Sequence, residues 1–355
     1  MKICLFCENK YAVSILEPIQ EAADKEGGNN VLWYVHAKRI PEFPLAGRVK
    51  YTNSIYDIQN FHPDAIFVPG NIVPYYLSGV KIQVFHGYAA EKKDHWVIRR
   101  YFDTYFTQGP FFTKGFERLA KKYKDFEVLE TGWPRQDWIY SNLHTFDLER
   151  ENYLKQYGKS NVVLYAPTFS PSLTSLPYMK EALREFAENE DVVLLMKFHP
   201  LTAREHIDAY KQLAGEVENI IWIDDFNVTK YMLMSDLMIS DTSSTIYEEL
   251  LLDKPVITLR AATKPKDLHW YNMQQPQELR KAFHEVMSNG GKYTEMRKWI
   301  IENYDPHLDG KVGERMLQGA RDYIVRHGVP EKRHLNLWRK YTSIKTFGWP
   351  KKCQE

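Results

Sequence analysis

The stretch SDLMISDTSSTIYEELLLDKPVITL, residues 235–259, decides the fold. A short apolar run at 237–239 reads as a strand and leads into Ser240-Asp241-Thr242-Ser243-Ser244-Thr245. A helical pattern follows at 243–252, with Ile246, Leu250 and Leu251 on one face, and a β-branched run at 256–259 closes the segment. Strand, polar turn, helix and strand in that order make a βαβ unit, whose crossover implies a parallel sheet.

The same alternation runs outward in both directions. Strand patterns fall at 2–7, 31–36, 65–68, 82–85, 104–107 and 127–129, then at 162–165, 192–198, 220–223, 237–239 and 256–259. Helical patterns at 110–122, 179–188, 228–234 and 243–252 lie between them. The charge-dense stretch 142–160 separates the two series and reads as a domain boundary. The expectation is an α/β protein with two Rossmann-like, doubly wound domains facing a cleft. Residues 1–150 would form the first domain and 151–330 the second, which the resemblance named below would make the acceptor-side and nucleotide-donor domains. Residues 331–355 would be a basic, aromatic tail.

Composition narrows the function. The 47 Lys and Arg nearly cancel the 46 Asp and Glu, so the net charge of +1 speaks against a nucleic-acid binder. A hydrophobic fraction of 44% supplies two sizeable cores, while no run of 18 apolar residues offers a membrane span. The opening MKICLFCENK is broken by Glu8 and Lys10 before a signal-peptide core forms, so a cytoplasmic protein, peripheral on the membrane at most, is expected. Cys4 and Cys7 share one apolar strand and read as buried thiols; a zinc site would need a second ligand pair. The tail carries seven Lys or Arg against one Glu over 331–352, with Trp338, Tyr341, Phe347 and Trp349 interspersed. That pattern fits either attachment to an anionic lipid surface or a helix packed back on the first domain.

Doubly wound sheets bind ligands beyond the carboxyl ends of their strands. His86, before Gly87, and His199, two residues after Lys197, stand at such ends, one in each half. The cluster Asp241, Thr242, Ser243, Ser244 and Thr245 before a helix suits an anion, because hydroxyls and free backbone N–H groups converge there. The alternative is an N-cap with surplus serines. TGWPRQD at 131–137 places Arg135, a bidentate phosphate donor, near the expected junction. YAPTF at 165–169 brings Thr168 out of a strand toward a nucleotide or pyrophosphate. No Walker loop, G-x-G-x-x-G or G-x-S-x-G is present, and no metal set is read, so no cofactor is assigned beyond an optional magnesium ion.

Taken together, QVFHG (83–87), TGWPRQD (131–137), VLYAPTF (163–169), LLMKFHP (194–200), SDLMISDTSSTIYEELLLDKPVI (235–257) and DGKVGER (309–315) resemble the CDP-glycerol glycerophosphotransferases of teichoic acid and capsule synthesis. The family usually carries Trp where Phe85 stands and Tyr where Thr242 stands. The resemblance implies a GT-B-like transferase that moves a glycerol-phosphate, or related polyol-phosphate, from a CDP-activated donor to a lipid-linked or polysaccharide acceptor, releasing CMP. It implies His86 as general base and His199 with Lys197 at the pyrophosphate. Arg135, Thr168, the 241–245 cluster, Glu248 and Arg315 would complete the substrate-binding set. Two alternatives share the scaffold: a glycosyltransferase or nucleotide-sugar epimerase, and a catalytically silent partner subunit.

Overall fold

The computed structural model describes residues 1–88, 90–225, 227–261, 268–288, 291–330 and 335–350. The chain divides into two compact units, one of 1–87, 92–141 and 303–355 and one of 88–91 and 142–302. In the first unit the strands are β1 (Lys2–Cys7), β2 (Asn30–Val35), β3 (Tyr51–Thr52), β4 (Ala65–Val68), β5 (Val80–Gln83), β6 (Thr104–Thr107) and β7 (Glu127–Glu130). In the second they are β8 (Asn161–Tyr165), β9 (Val192–Lys197), β10 (Ile220–Ile223), β11 (Leu237–Ser240), β12 (Val256–Leu259) and β13 (Tyr271–Met273).

The first sheet runs β3-β2-β1-β4-β5-β6-β7 and the second β10-β9-β8-β11-β12-β13. Every ladder is parallel. Both orders start at a central strand, step outward in one direction and then reverse, which is the Rossmann plan with one added edge strand in the first sheet. Helices cover such sheets on both faces, so their strands are continuously apolar instead of alternating. Ile3 to Cys7, Val162 to Tyr165 and Val192 to Met196 are accordingly all buried. Cys4 and Cys7 lie inside β1, where burial pushes both thiols above their usual range; Cys353 lies outside the described residues.

Two strands escaped the sequence reading. β3 has only two residues, and β13 carries Asn272 between Tyr271 and Met273, so neither shows an apolar run. The strand expected at 82–85 ends at Gln83, because Phe85 turns into the left-handed region at φ 59°. The expected linker 142–160 contains a helix, Asp147–Tyr157, with no buried residue.

The domain limits also shift. The main segment of the second unit begins at 142, where 151 was expected, residues 88–91 join it, and residues 303–330 group with the first unit. Small residues explain the latter. In the helix Val312–His327, a Cβ added at Gly313 would lie 2.6 Å from the Pro18 carbonyl oxygen, and one at Gly319 would lie 2.3 Å from Leu129. The glycines bring this helix against Val13–Glu26 and the edge of the first sheet, burying Val312, Met316, Leu317 and Ala320.

The tail packs back on the same unit. In the helix Leu337–Phe347, Ser343 is buried and its Oγ accepts the Tyr75 N–H at 3.1 Å. The Phe347 ring meets Phe6 edge-on at 5.5 Å. Leu337, Trp338 and Tyr341 remain exposed, as does Trp349 beyond the helix. The tail residues at 331–334 and 351–355 lie outside the described residues.

Candidate active site

In each sheet the strand order reverses between two neighbours, β1 and β4 in the first and β8 and β11 in the second. A crevice opens beyond the carboxyl ends of such a pair. Chemistry-bearing side chains sit at both places.

In the second unit the crevice is built around Asp241. Its Oδ1 accepts the Thr168 N–H at 2.8 Å, and its Oδ2 accepts the Ser175 N–H and hydroxyl at 2.8 and 2.9 Å. The Ser175 oxygen in turn meets the Tyr165 hydroxyl at 2.9 Å. Burial raises the Asp241 pKa, and these hydrogen bonds oppose it. Asp241 is fully buried, and all the contacts described for it are within the protein. Its carboxylate fixes the loop after β8 that carries Thr168 and Phe169. Glu248 is buried as well, in the first turn of the helix Thr245–Leu251, and is not placed as a surface ligand.

Thr242, Ser243, Ser244 and Thr245 stay half-buried at the entry to that helix. The Ser243 and Thr245 hydroxyls meet at 2.8 Å, and Ser243 Oγ accepts the Thr245 N–H at 3.3 Å. Ser244, at the cap position, makes no side-chain cap bond. One hydroxyl therefore serves the turn and the cluster exceeds the need for a cap.

β9 ends at Lys197, so His199 lies beyond the strand and not on it. Its ring stacks on Phe169 at 4.3 Å, which joins the ends of β8 and β9. His199 Nδ1 receives the Leu201 N–H at 3.1 Å. A nitrogen that accepts carries no proton, so in the neutral ring the proton sits on Nε2, which is exposed as a donor. Burial and then the neighbouring Lys197 charge lower the His199 pKa, which favours that neutral form. Lys197 itself is buried, with its ammonium on the Phe198 carbonyl at 2.9 Å. Burial lowers its pKa, and Asp225 and Asp224 oppose the shift. Its ammonium thus lies behind the surface that His199 presents.

In the first unit His86 is exposed and presents the opposite tautomer. Its Nδ1 lies 3.0 Å from the Pro69 carbonyl oxygen, which can only accept. Nδ1 therefore carries the proton, and Nε2 keeps a free lone pair, the form a general base requires. Phe85, just before it, holds a left-handed conformation that costs an aromatic residue about 1–2 kcal/mol. Stacking on His95 at 5.0 Å and contact with Phe116 at 4.9 Å hold it there. Burial, then the His86 charge, brings His95 down to about 3, so His95 is a neutral platform. Nothing in the sequence singled it out.

TGWPRQD and DGKVGER interlock within this unit. Asp137 accepts the N–H groups of Val312 and Gly313 at 2.9 and 2.7 Å, capping the helix that Gly313 seats. Arg315 donates to the Thr131 carbonyl at 2.8 Å and clasps Asp309 at 2.7 and 3.1 Å. In the structure these contacts make it a clamp between the two motifs. Arg135 lies over the Trp133 ring at 4.7 Å and reaches Ser14 at 3.1 Å.

Two Rossmann-like sheets, each with polar side chains at its reversal point, define an α/β protein of the GT-B-like class. The chain belongs to the CDP-Glycerol:Poly(glycerophosphate) glycerophosphotransferase family, which it matches over residues 77–319. It is 28% identical over 230 residues to the teichoic acid ribitol-phosphate polymerase TarL of Staphylococcus aureus, covering 60% of this chain and 39% of that one. It is 31% identical over 156 residues to a teichoic acid glycerol-phosphate primase of Bacillus spizizenii, covering 40% and 38%. The chain thus spans about two fifths of the length of these relatives. Among solved structures, the wall teichoic acid polymerase TagF superposes with a TM-score of 0.67 over 91% of this chain and 89% of that one, at 18% identity. The S. aureus MnaA–UDP co-structure superposes with a TM-score of 0.69 over 95% and 99%, at 16% identity. Both likenesses concern the fold.

Proposed function

We propose that this protein transfers a polyol-phosphate unit, glycerol-phosphate or ribitol-phosphate, from a CDP-activated donor to an acceptor hydroxyl in cell-wall polymer synthesis, releasing CMP. The observation that carries the reading is the pair of opposed ring contacts, His86 Nδ1 on the Pro69 carbonyl and His199 Nδ1 on the Leu201 N–H, which leave a lone pair at Nε2 in the first and a proton at Nε2 in the second. Both serve phosphoryl transfer, the first as a base for the incoming hydroxyl and the second as a hydrogen-bond donor that offsets charge on the departing oxygen.

The acceptor oxygen attacks the donor's β-phosphorus while its proton passes to His86 Nε2. The bond from that phosphorus to the bridging oxygen breaks, and the oxygen leaves with CMP. His199 Nε2–H and the field of Lys197 offset the negative charge that grows there. Thr168 and the hydroxyls of Thr242, Ser243, Ser244 and Thr245 hold the pyrophosphate, with Asp241 fixing the loop and Phe169 supporting the His199 ring. Arg135 is proposed as a further phosphate donor.

The acceptor is proposed to be lipid-linked or a polysaccharide. Among the described residues no helix is long and apolar enough to cross a membrane. The exposed Leu337, Trp338, Tyr341 and Trp349 beside Arg339, Lys340 and Lys345 suit peripheral attachment to an anionic surface. Mass spectrometry of the acceptor after incubation tests the reading: gain of a polyol-phosphate supports it, and gain of a sugar replaces it with glycosyl transfer.

A further inference from the structure

The mechanism above leaves the buried carboxyl of Glu8, in the first unit, unused. Glu8 follows β1 directly and is 5% exposed. Its one partner among the described residues is the Arg39 guanidinium at 3.8 Å, beyond hydrogen-bond range. Buried carboxyls are ordinarily satisfied by several donors, so one left this bare calls for an explanation.

Its position supplies one. β1 and β4 are the strands between which the first sheet reverses, and Glu8 leans from the end of β1 over the end of β4. A Cβ at Gly70 would lie 2.5 Å from Glu8 Oε2, so the carboxyl occupies space that only glycine leaves open. The carbonyl of the preceding residue, Pro69, is the group that holds His86 Nδ1. Glu8 and His86 therefore converge on one dipeptide, Pro69-Gly70. Gln83 fixes that turn by donating to the Gly70 carbonyl at 3.1 Å and the Asn71 side chain at 3.0 Å. Tyr11 closes the other side, its ring 5.7 Å from the His86 ring.

We infer that Glu8 is a specificity-determining residue for the acceptor, its carboxyl binding a hydroxyl next to the one that His86 deprotonates. The inference rests on the transfer reaction proposed above and adds the part of the acceptor recognised: two neighbouring hydroxyls of a polyol chain end. A carboxyl at this place disfavours a phosphate and suits a neutral diol. Burial, against the pull of Arg39, brings Glu8 up to about 7, so near neutrality the group both donates and accepts hydrogen bonds.

The test measures initial rates of CMP release with acceptor and donor varied separately, in wild type, Glu8→Ala, Glu8→Gln and Gly70→Ala. Calorimetric titration with ribitol 5-phosphate, as a chain-end probe, is run beside it. The expected result is an acceptor KM and a probe Kd raised about tenfold or more in Glu8→Ala, with donor KM within about twofold. Glu8→Gln should recover most of that loss. Gly70→Ala, which displaces the carboxyl without removing it, should resemble Glu8→Ala. Unchanged acceptor KM and probe Kd in Glu8→Ala, with an active wild type, would overturn the inference and leave the transfer reaction standing. A wild type that neither releases CMP nor binds the probe would overturn both.

Discussion

Asp241 Oδ2 accepts the Ser175 N–H at 2.8 Å and the Ser175 hydroxyl at 2.9 Å, tying the end of β11 to the loop that leaves β8. Asp241→Ala removes that tie and strands buried donors, so stability should fall by about 2–4 kcal/mol in urea denaturation. Donor KM should rise as Thr168 and Phe169 lose their support. A variant with wild-type stability and donor KM would show the loop to be held by other means.

The two histidines should respond differently to replacement. His86→Ala and His199→Ala should each lower turnover by about two to four powers of ten. Glutamine places an amide N–H near the position of Nε2 but is no base. His199→Gln should therefore exceed His199→Ala by about tenfold, and His86→Gln should do no better than His86→Ala. Equal rescue at both positions would contradict the tautomers assigned.

Asp137 caps the helix Val312–His327 by accepting the Val312 and Gly313 N–H groups. Asp137→Ala should cost about 1–2 kcal/mol in denaturant unfolding. A chain ended at residue 302 should lose the first unit's fold, seen as exposed aromatic fluorescence, because Met316, Leu317 and Ala320 belong to that core. A folded, truncated first unit would rule out this assignment.

Glu8 also predicts a pH dependence. Its carboxyl is raised from 4.5 to about 7, so between those values the folded chain holds a proton that the unfolded chain has released. Stability contributed by the neutral form is complete below pH 4.5 and is lost as pH rises toward 7. Glu8→Gln should therefore match wild type in acid and exceed it by roughly 2–4 kcal/mol at pH 8. Denaturant midpoints across that range check the crossover.

Much of this was legible in the sequence because buried parallel strands write themselves as apolar runs. The runs at 65–68, 104–107, 220–223 and 256–259 coincide with β4, β6, β10 and β12. His86 and His199 stood out because each ends such a run. Roles that depend on where a carboxylate points were not legible. Asp241 and Arg315 look like ligands in one dimension, and the sequence showed neither the loop that Asp241 anchors nor the motif that Arg315 clasps. Glu8 was read as the residue that interrupts a signal-peptide core; only the strand order places it over Gly70. Residues 303–330 joined the wrong domain because helix periodicity shows an apolar face but not which sheet it covers.

The most direct measurement is nucleotide release from a donor panel of CDP-glycerol, CDP-ribitol and UDP-sugars, with and without acceptor, alongside quantification of the extended product. The account predicts one CMP for each polyol-phosphate transferred from a CDP-polyol. It also predicts no turnover of the UDP-sugars. Turnover of a UDP-sugar with no CMP from either CDP-polyol would contradict it.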